Sequence, residues 1–246
     1  AVTAATSLGT RFRLTNIQNP DSTGLAGIGE VEDHPVIILA PLTDFGDFDG
    51  APSVSNTATT TLRLGALVDT EYAATRNASA TGDDVTGVDD EDGVTIPAMT
   101  AGAPASISTI VSNTTGSIAY LNAWVDFNNN GVFTNSSEQI ASNVPIPAGT
   151  SNATTTINLT VPAAAVTGTN LGLRVRVTSD ISPGSTGSGG LGEVEDYIVS
   201  IAAPTTDFGD FSGFASASST QVDAQLDAGH LGAVLPAPAA PRWPAS

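Results

Sequence analysis

Leu171-Gly172-Leu173-Arg174-Val175-Arg176-Val177, followed by Gly192-Glu193-Val194-Glu195-Asp196-Tyr197, decides the fold class of this chain. In Leu173–Val177 the arginines share one face and the aliphatics the other, the period-two pattern of a β-strand. Val194–Ile201 reads as a second strand, opened by Glu193, Glu195 and Asp196. Guanidinium and carboxylate are expected to pair across a sheet between the two segments, with Arg174 and Arg176 meeting Glu193 and Glu195.

The same residues occur earlier in the chain. Gly192-Glu193-Val194-Glu195-Asp196 repeats Gly29-Glu30-Val31-Glu32-Asp33, and Arg174-x-Arg176 repeats Arg11-x-Arg13. Pro183-x-Ser185-Thr186-Gly187 repeats Pro20-x-Ser22-Thr23-Gly24. Thr206-Asp207-Phe208-Gly209-Asp210-Phe211 repeats Thr43-Asp44-Phe45-Gly46-Asp47-Phe48. Every pair is 163 residues apart without a gap, which chance does not produce. Beyond Phe211 the copies drift, and Leu64-Gly65-Ala66 meets Leu231-Gly232-Ala233 only with an insertion. Residues 1–41 therefore read as the end of one unit, with strands to donate. Residues 42–204 read as a whole unit, and 205–246 as the start of another with a Pro/Ala-rich tail. Arg11, Arg13, Glu30 and Glu32 are expected to form the first copy of the ion-pair set.

Further β-branched or alternating segments lie at Thr61–Leu67, Gly93–Ile96, Ala105–Ser112, Ile118–Asp126 and Thr154–Val161, separated by Gly, Pro, Asn or Asp clusters. No stretch of useful length shows the 3.6-residue helical period. The pattern predicts an all-β fold built of antiparallel β-sandwich repeats, immunoglobulin-like or jelly-roll-like, in tandem or strand-exchanged.

Composition narrows the function classes. The 246 residues carry 25 acidic and 7 basic side chains, a net charge of −18, with no cysteine and no lysine. Nucleic acid and anionic membranes are poor partners for such a surface. Disulfides, thiolate metal sites and lysine-based covalent chemistry are excluded. No apolar run reaches the roughly 18–20 residues of a membrane span. The chain opens at Ala1 rather than Met, which reads as a processed product or a window on something longer.

Two acidic segments are candidate calcium sites. In Asp126-Phe127-Asn128-Asn129-Asn130-Gly131-Val132, side-chain oxygens fall at alternate positions ahead of a glycine, the arrangement of a D-x-[DN]-x-[DN]-G loop. Asp126, Asn128 and Asn130 are the expected ligands, with the Val132 carbonyl and a bidentate Glu138. The alternative is a polar Asn-Gly hairpin turn. Asp83, Asp84, Asp89, Asp90, Glu91 and Asp92 form the second cluster, either a calcium site or a solvated acidic loop. His34 and His230, the only histidines, give no catalytic triad a starting point. A carboxylate-pair hydrolase would want more Trp and Tyr around its cleft than this chain carries.

Leu173-x-x-x-Val177 with Gly192-Glu193-Val194-Glu195-Asp196-Tyr197 resembles the GEVED domain of large bacterial secreted and cell-surface proteins. Asp44-Phe45-Gly46-Asp47, Asp89-Asp90-Glu91-Asp92-Gly93-Val94 and Ala123-Trp124-Val125-Asp126-Phe127-Asn128-x-Asn130-Gly131 resemble its other landmarks. His34 departs from the tyrosine found at position 197. The resemblance implies an extracellular β-sandwich repeat with no established catalytic role. The expected function is structural: a calcium-stabilised fibre, stalk or surface layer of copies of this chain joined head to tail. The alternative is a surface adhesin that recognises a cell-surface glycan or a protein, favoured if Trp124 or Tyr120 lies exposed beside the Asp126 loop.

Overall fold

The structure is a computed structural model and describes residues 6–40, 42–82, 89–133, 137–168, 170–208 and 218–220. All regular structure among these residues is strand. No helix there is long and apolar enough to cross a membrane.

Strands β1 (Thr6–Thr15) and β2 (Gly29–Ile38) form an antiparallel hairpin. After them come three short strands, β3 (Thr43–Phe45), β4 (Val54–Thr57) and β5 (Leu62–Leu64), then the two-residue β6 (Val94–Thr95) and β7 (Met99–Thr100). The long strands are β8 (Pro104–Asn113), β9 (Ala119–Val125), β10 (Gln139–Ile146), β11 (Thr150–Thr160), β12 (Leu171–Thr178) and β13 (Gly187–Val199). Strand β14 (Ile201–Ala202) follows, and β15 (Thr206–Phe208) pairs antiparallel with β16 (Ser218–Thr220).

Two sheets face each other in a β-sandwich-like arrangement. One has the order β10-β9-β12-β13-β4-β3; the other is β11-β8-β5 with β6 also on β8. Leu62, Leu64, Ile107, Val111 and Ile157 from the smaller sheet meet Leu121, Val125, Leu173, Val175 and Val177 from the larger in one core. Each such side chain, fully buried, contributes about 1.5–3 kcal/mol over leaving it in water. The opposite face of the larger sheet carries a second cluster of Phe48, Ala51, Ala80, Trp124 and Phe133. Strand β12 is consequently buried along its whole length, arginines included.

Every strand expected from the sequence is present, mostly within a few residues of its expected ends. Strand β10 was not expected. It carries Pro145 and a left-handed Asn143 (φ 51°), and its pairing with β9 is interrupted twice, so it lacks a clean alternation. Most of the described strand pairs are antiparallel as expected, and two are not. β13 runs parallel to β4, with Gly187 opposite Val54 and Ser188 opposite Ser55, and β14 runs parallel to β7. The long chain between β4 and β13 supplies the crossover that a parallel pair requires.

The hairpin β1–β2 has the register of β12–β13. Arg11 faces Asp33 and Thr15 faces Gly29, as Arg174 faces Asp196 and Thr178 faces Gly192. Thr43 faces Thr57 in β3–β4, and Thr206 faces Thr220 in β15–β16.

Candidate functional site

The residues richest in chemistry are on β12 and β13. Arg174 lies directly opposite Asp196. Its Nε and Nη2 donate to the two oxygens of Asp196, each at 2.7 Å. Nη1 donates to the carbonyls of Pro52 and Ser185, and the guanidinium lies 5.4 Å from the centre of the Phe133 ring. Asp196 also accepts the Phe48 N–H, which ties the second aromatic cluster to the sheet. Arg176 has other acceptors. It donates to Asn56 Oδ1 and to the carbonyls of Ser55, Gly184 and Gly187.

The expected pairing of these arginines with Glu193 and Glu195 is therefore corrected: the acid is Asp196. Side chains alternate faces along β13, so once Asp196 stands opposite Arg174, both glutamates point into the other face. There they accept backbone N–H groups from across the core. Glu193 takes that of Leu64, and Glu195 takes that of Gly93 at 2.9 Å and the Tyr197 hydroxyl at 3.0 Å. The Val194 N–H between them donates to Asp44 at 2.7 Å. Gly192, at φ 145°, passes so close to β12 that a Cβ there would lie 1.9 Å from the Val177 carbonyl oxygen. Side chains and backbone of these five residues thus stitch both faces of the sheet to the elements that cover it.

Burial sets the electrostatics. Desolvation pushes Glu195 up to about 8, against the Gly93 N–H and the Tyr197 hydroxyl that favour its charged form. Glu193 is raised for the same reason, and then by the charges of Glu195 and Asp44. Burial, then Glu195, raises the Tyr197 phenol. Arg176 is lowered to about 10 by burial and by neighbouring Arg174.

The first hairpin reproduces these contacts without the surroundings. Arg11 Nε and Nη2 hold the two oxygens of Asp33 at 2.7 Å. Arg11 Nη1 donates to Ser22 O as Arg174 does to Ser185 O, and Arg13 reaches Asp21 O and Gly24 O as Arg176 reaches Gly184 O and Gly187 O. Here too the acid opposite Arg11 is Asp33, not Glu30 or Glu32. Glu32 instead lies 3.1 Å from His34 Nε2. The hydrogen bond from Arg11 holds Asp33 below the usual carboxylate range.

At the first candidate calcium loop, the structure joins Asn128 to Glu138 and closes the loop on Asp126. Asp126 and Glu138 are 2% and 1% exposed, and Asn128 Nδ2 donates to Glu138 Oε1 at 2.7 Å. The Val125 N–H donates to the Glu138 carbonyl, which brings residue 138 beside the loop. The oxygens of Asp126 accept the N–H groups of Asn130 and Gly131, and Asn130 Oδ1 accepts that of Val132. Asn129 and Gly131 take left-handed φ values of 54° and 76°, the sharp turn that such a loop needs. Among the described residues no group of three or more acids, histidines or cysteines is placed to hold an ion. The Asp126 set expected from the sequence has two acids, and its other members are amides and a carbonyl.

Among the described residues, the second cluster forms no group of three or more acids placed to hold an ion. Asp83 and Asp84 lie outside the described residues. Asp90 is buried and accepts the Asp69 N–H, and Asp92 accepts that of Ala66, so these two pin the segment after β5. Asp89 is exposed and Glu91 half-buried. Trp124 is 3% exposed inside the second cluster, and Tyr120 is half-buried. Sequence reasoning missed Asp44, Asn56 and Phe48 as partners of β12 and β13. The recurrence of Asp44-Phe45-Gly46-Asp47-Phe48 at 207–211 was the available signal.

Residues 120–200, from β9 through β13, match the family model described as the GEVED domain. The span includes the Asp126 loop, both buried arginines and the Gly192–Asp196 motif. No curated protein matches the chain.

Proposed function

We propose that this is an extracellular structural repeat protein whose β-sandwich units join head to tail into a fibre, stalk or surface layer. One observation carries the reading. Leu8, Phe12 and Leu14 of the first hairpin are 48%, 64% and 75% exposed, while their counterparts Leu171, Val175 and Val177 are fully buried. An apolar sheet face of this kind is a surface made for a partner. The strand edges beside it are templates for pairing with another chain. A contact between different surfaces of successive copies need not close, so it gives an open polymer. Negative-stain microscopy of the purified protein is expected to show elongated assemblies. A strictly monomeric protein at micromolar concentration with calcium present counts against the reading.

Calcium at the Asp126 loop is part of the same proposal. Asp126, Asn128 and Glu138 would hold the ion, helped by Asn130 and the Val132 carbonyl. A carboxylate oxygen that accepts one N–H keeps a lone pair for a cation. Two buried acids at this loop, Asp126 and Glu138, in a chain of net charge −18 support a cation there. At 100 times its Kd, an ion that binds only the folded state adds about 2.7 kcal/mol. For a domain of this size that is roughly 5–10 °C in Tm. Chelation is expected to lower Tm by that order in the wild type and to leave Asp126→Asn/Glu138→Gln unmoved. An unchanged wild-type melting curve removes calcium from the proposal.

A further inference from the structure

Within the chain, the strand pair β3–β4 is what covers the edge and arginine face of β12–β13. β4 pairs in parallel with the start of β13, Ser55 opposite Ser188 and Thr57 opposite Leu191. Asp44 on β3 takes the Val194 N–H, and Asn56 and the Ser55 carbonyl take Arg176. Gly46, just after β3, lies against the ion pair so closely that a Cβ there would come 2.6 Å from Asp196 and 3.0 Å from Arg174. The chain holds a second hairpin of the β12–β13 type, β1–β2, and a second strand pair of the β3–β4 type, β15–β16, each in the same register as its counterpart. No pairing joins β1–β2 to β15–β16. The segment that leads into β2 is open: Leu25 and Ile28, the counterparts of Ser188 and Leu191, lie in the loop before the strand and are 100% and 82% exposed.

We infer that the head-to-tail joint is formed by the β15–β16 pair of one copy docking on the β1–β2 hairpin of a second copy, in the register that β3–β4 takes on β12–β13. The inference rests on the head-to-tail reading above and specifies its contact. Leu25 of one chain then lies opposite Ser218 of the other, and Ile28 opposite Thr220. The Val31 N–H meets Asp207, the counterpart of Asp44. Arg13 meets the Ser218 carbonyl, as Arg176 meets that of Ser55. In sequence, Ser219 replaces Asn56 at the corresponding position.

The chain has no cysteine, so engineered pairs report the joint cleanly. Full-length Leu25→Cys and Ser218→Cys variants are purified separately, mixed and oxidised. In-register residues on neighbouring strands lie about 5 Å apart, within the Cα range of about 4.4–6.8 Å for a disulfide. A covalent heterodimer is expected from the mixture, at least ten-fold above either variant alone. Asp207→Ala in the Ser218→Cys chain is expected to cut that yield several-fold. Ser55→Cys/Ser188→Cys in one chain is the positive control and is expected to close within the molecule. If the control closes and the mixture does not, while micrographs still show elongated assemblies, the proposed joint is wrong and another occupant covers the hairpin. If neither cross-links nor assemblies form, the head-to-tail reading falls with it.

Discussion

Arg174→Ala is expected to destabilise the sandwich by about 3–5 kcal/mol, while Arg11→Ala leaves its unfolding transition in place. The two side chains grip their aspartates with the same fork, both bonds 2.7 Å long in each copy. They differ in surroundings. Arg174 and Asp196 are 0% and 1% exposed, and removing the guanidinium strands a carboxylate among Phe48, Gly46 and the sheet with no water to replace it. Arg11 and Asp33 have side chains 43% and 59% exposed, and solvent screens what the pair gains. Urea unfolding of the two variants beside the wild type measures the contrast. A double variant isolates the cause. Arg174→Met/Asp196→Asn removes both charges and keeps an acceptor for the Phe48 N–H. Its loss is expected to fall short of the sum of the single losses, because the stranded charge is gone. Equal effects of Arg174→Ala and Arg11→Ala would mean that burial is not what gives the pair its role.

That contrast also marks how far the sequence could be read. The strands around Arg174 and Glu193 were legible, because alternation and the recurrence of the motif at 11–13 and 29–33 needed no tertiary information. Which acid faced which arginine was not. Residue period says which side chains share a face; the register depends on the loop from Ser179 to Thr186, whose length and φ values the pattern does not encode. Nor did alternation reveal that the arginine face is interior. That depends on Phe48, Trp124 and Phe133, far apart in sequence, gathering over the larger sheet. The parallel contact of β4 with β13 was invisible for a similar reason. The acidic run at 89–92 suggested a solvated or metal-binding loop, yet Asp90 and Asp92 cap backbone N–H groups of the segment after β5, a use that composition does not signal.

Acidification from pH 8 to pH 5 is expected to stabilise the protein, and Glu195 is the main reason. Its folded-state value is raised to about 8, while in the unfolded chain a glutamate titrates near its ordinary value of about 4.3. Between those values the folded state binds more protons than the unfolded state, so stability falls as pH rises through the window and is fully present below it. Glu193, also raised, acts with the same sign. Asp33 is lowered, so its contribution has the opposite sign, and it is lost only as pH falls below the ordinary aspartate range. Relief of the net charge of −18 also favours the acidic side, and Glu195→Gln separates the two effects. The amide keeps an acceptor for the Gly93 N–H and offers its own N–H to the Tyr197 hydroxyl. Its stability is expected to match or exceed the wild type at pH 8 and to vary less between pH 5 and pH 8. Glu195→Ala leaves the Gly93 N–H without its acceptor and is expected to lose about 1–3 kcal/mol at pH 5, and less at pH 8, where the wild type has given up the contribution of this carboxyl. Chemical denaturation of the three proteins at pH 5, 6.5 and 8 reads all of this out. A wild-type stability that rises with pH in parallel with Glu195→Gln would show that this carboxylate is charged in the folded core at pH 5, held by Gly93 and Tyr197 more strongly than burial opposes it.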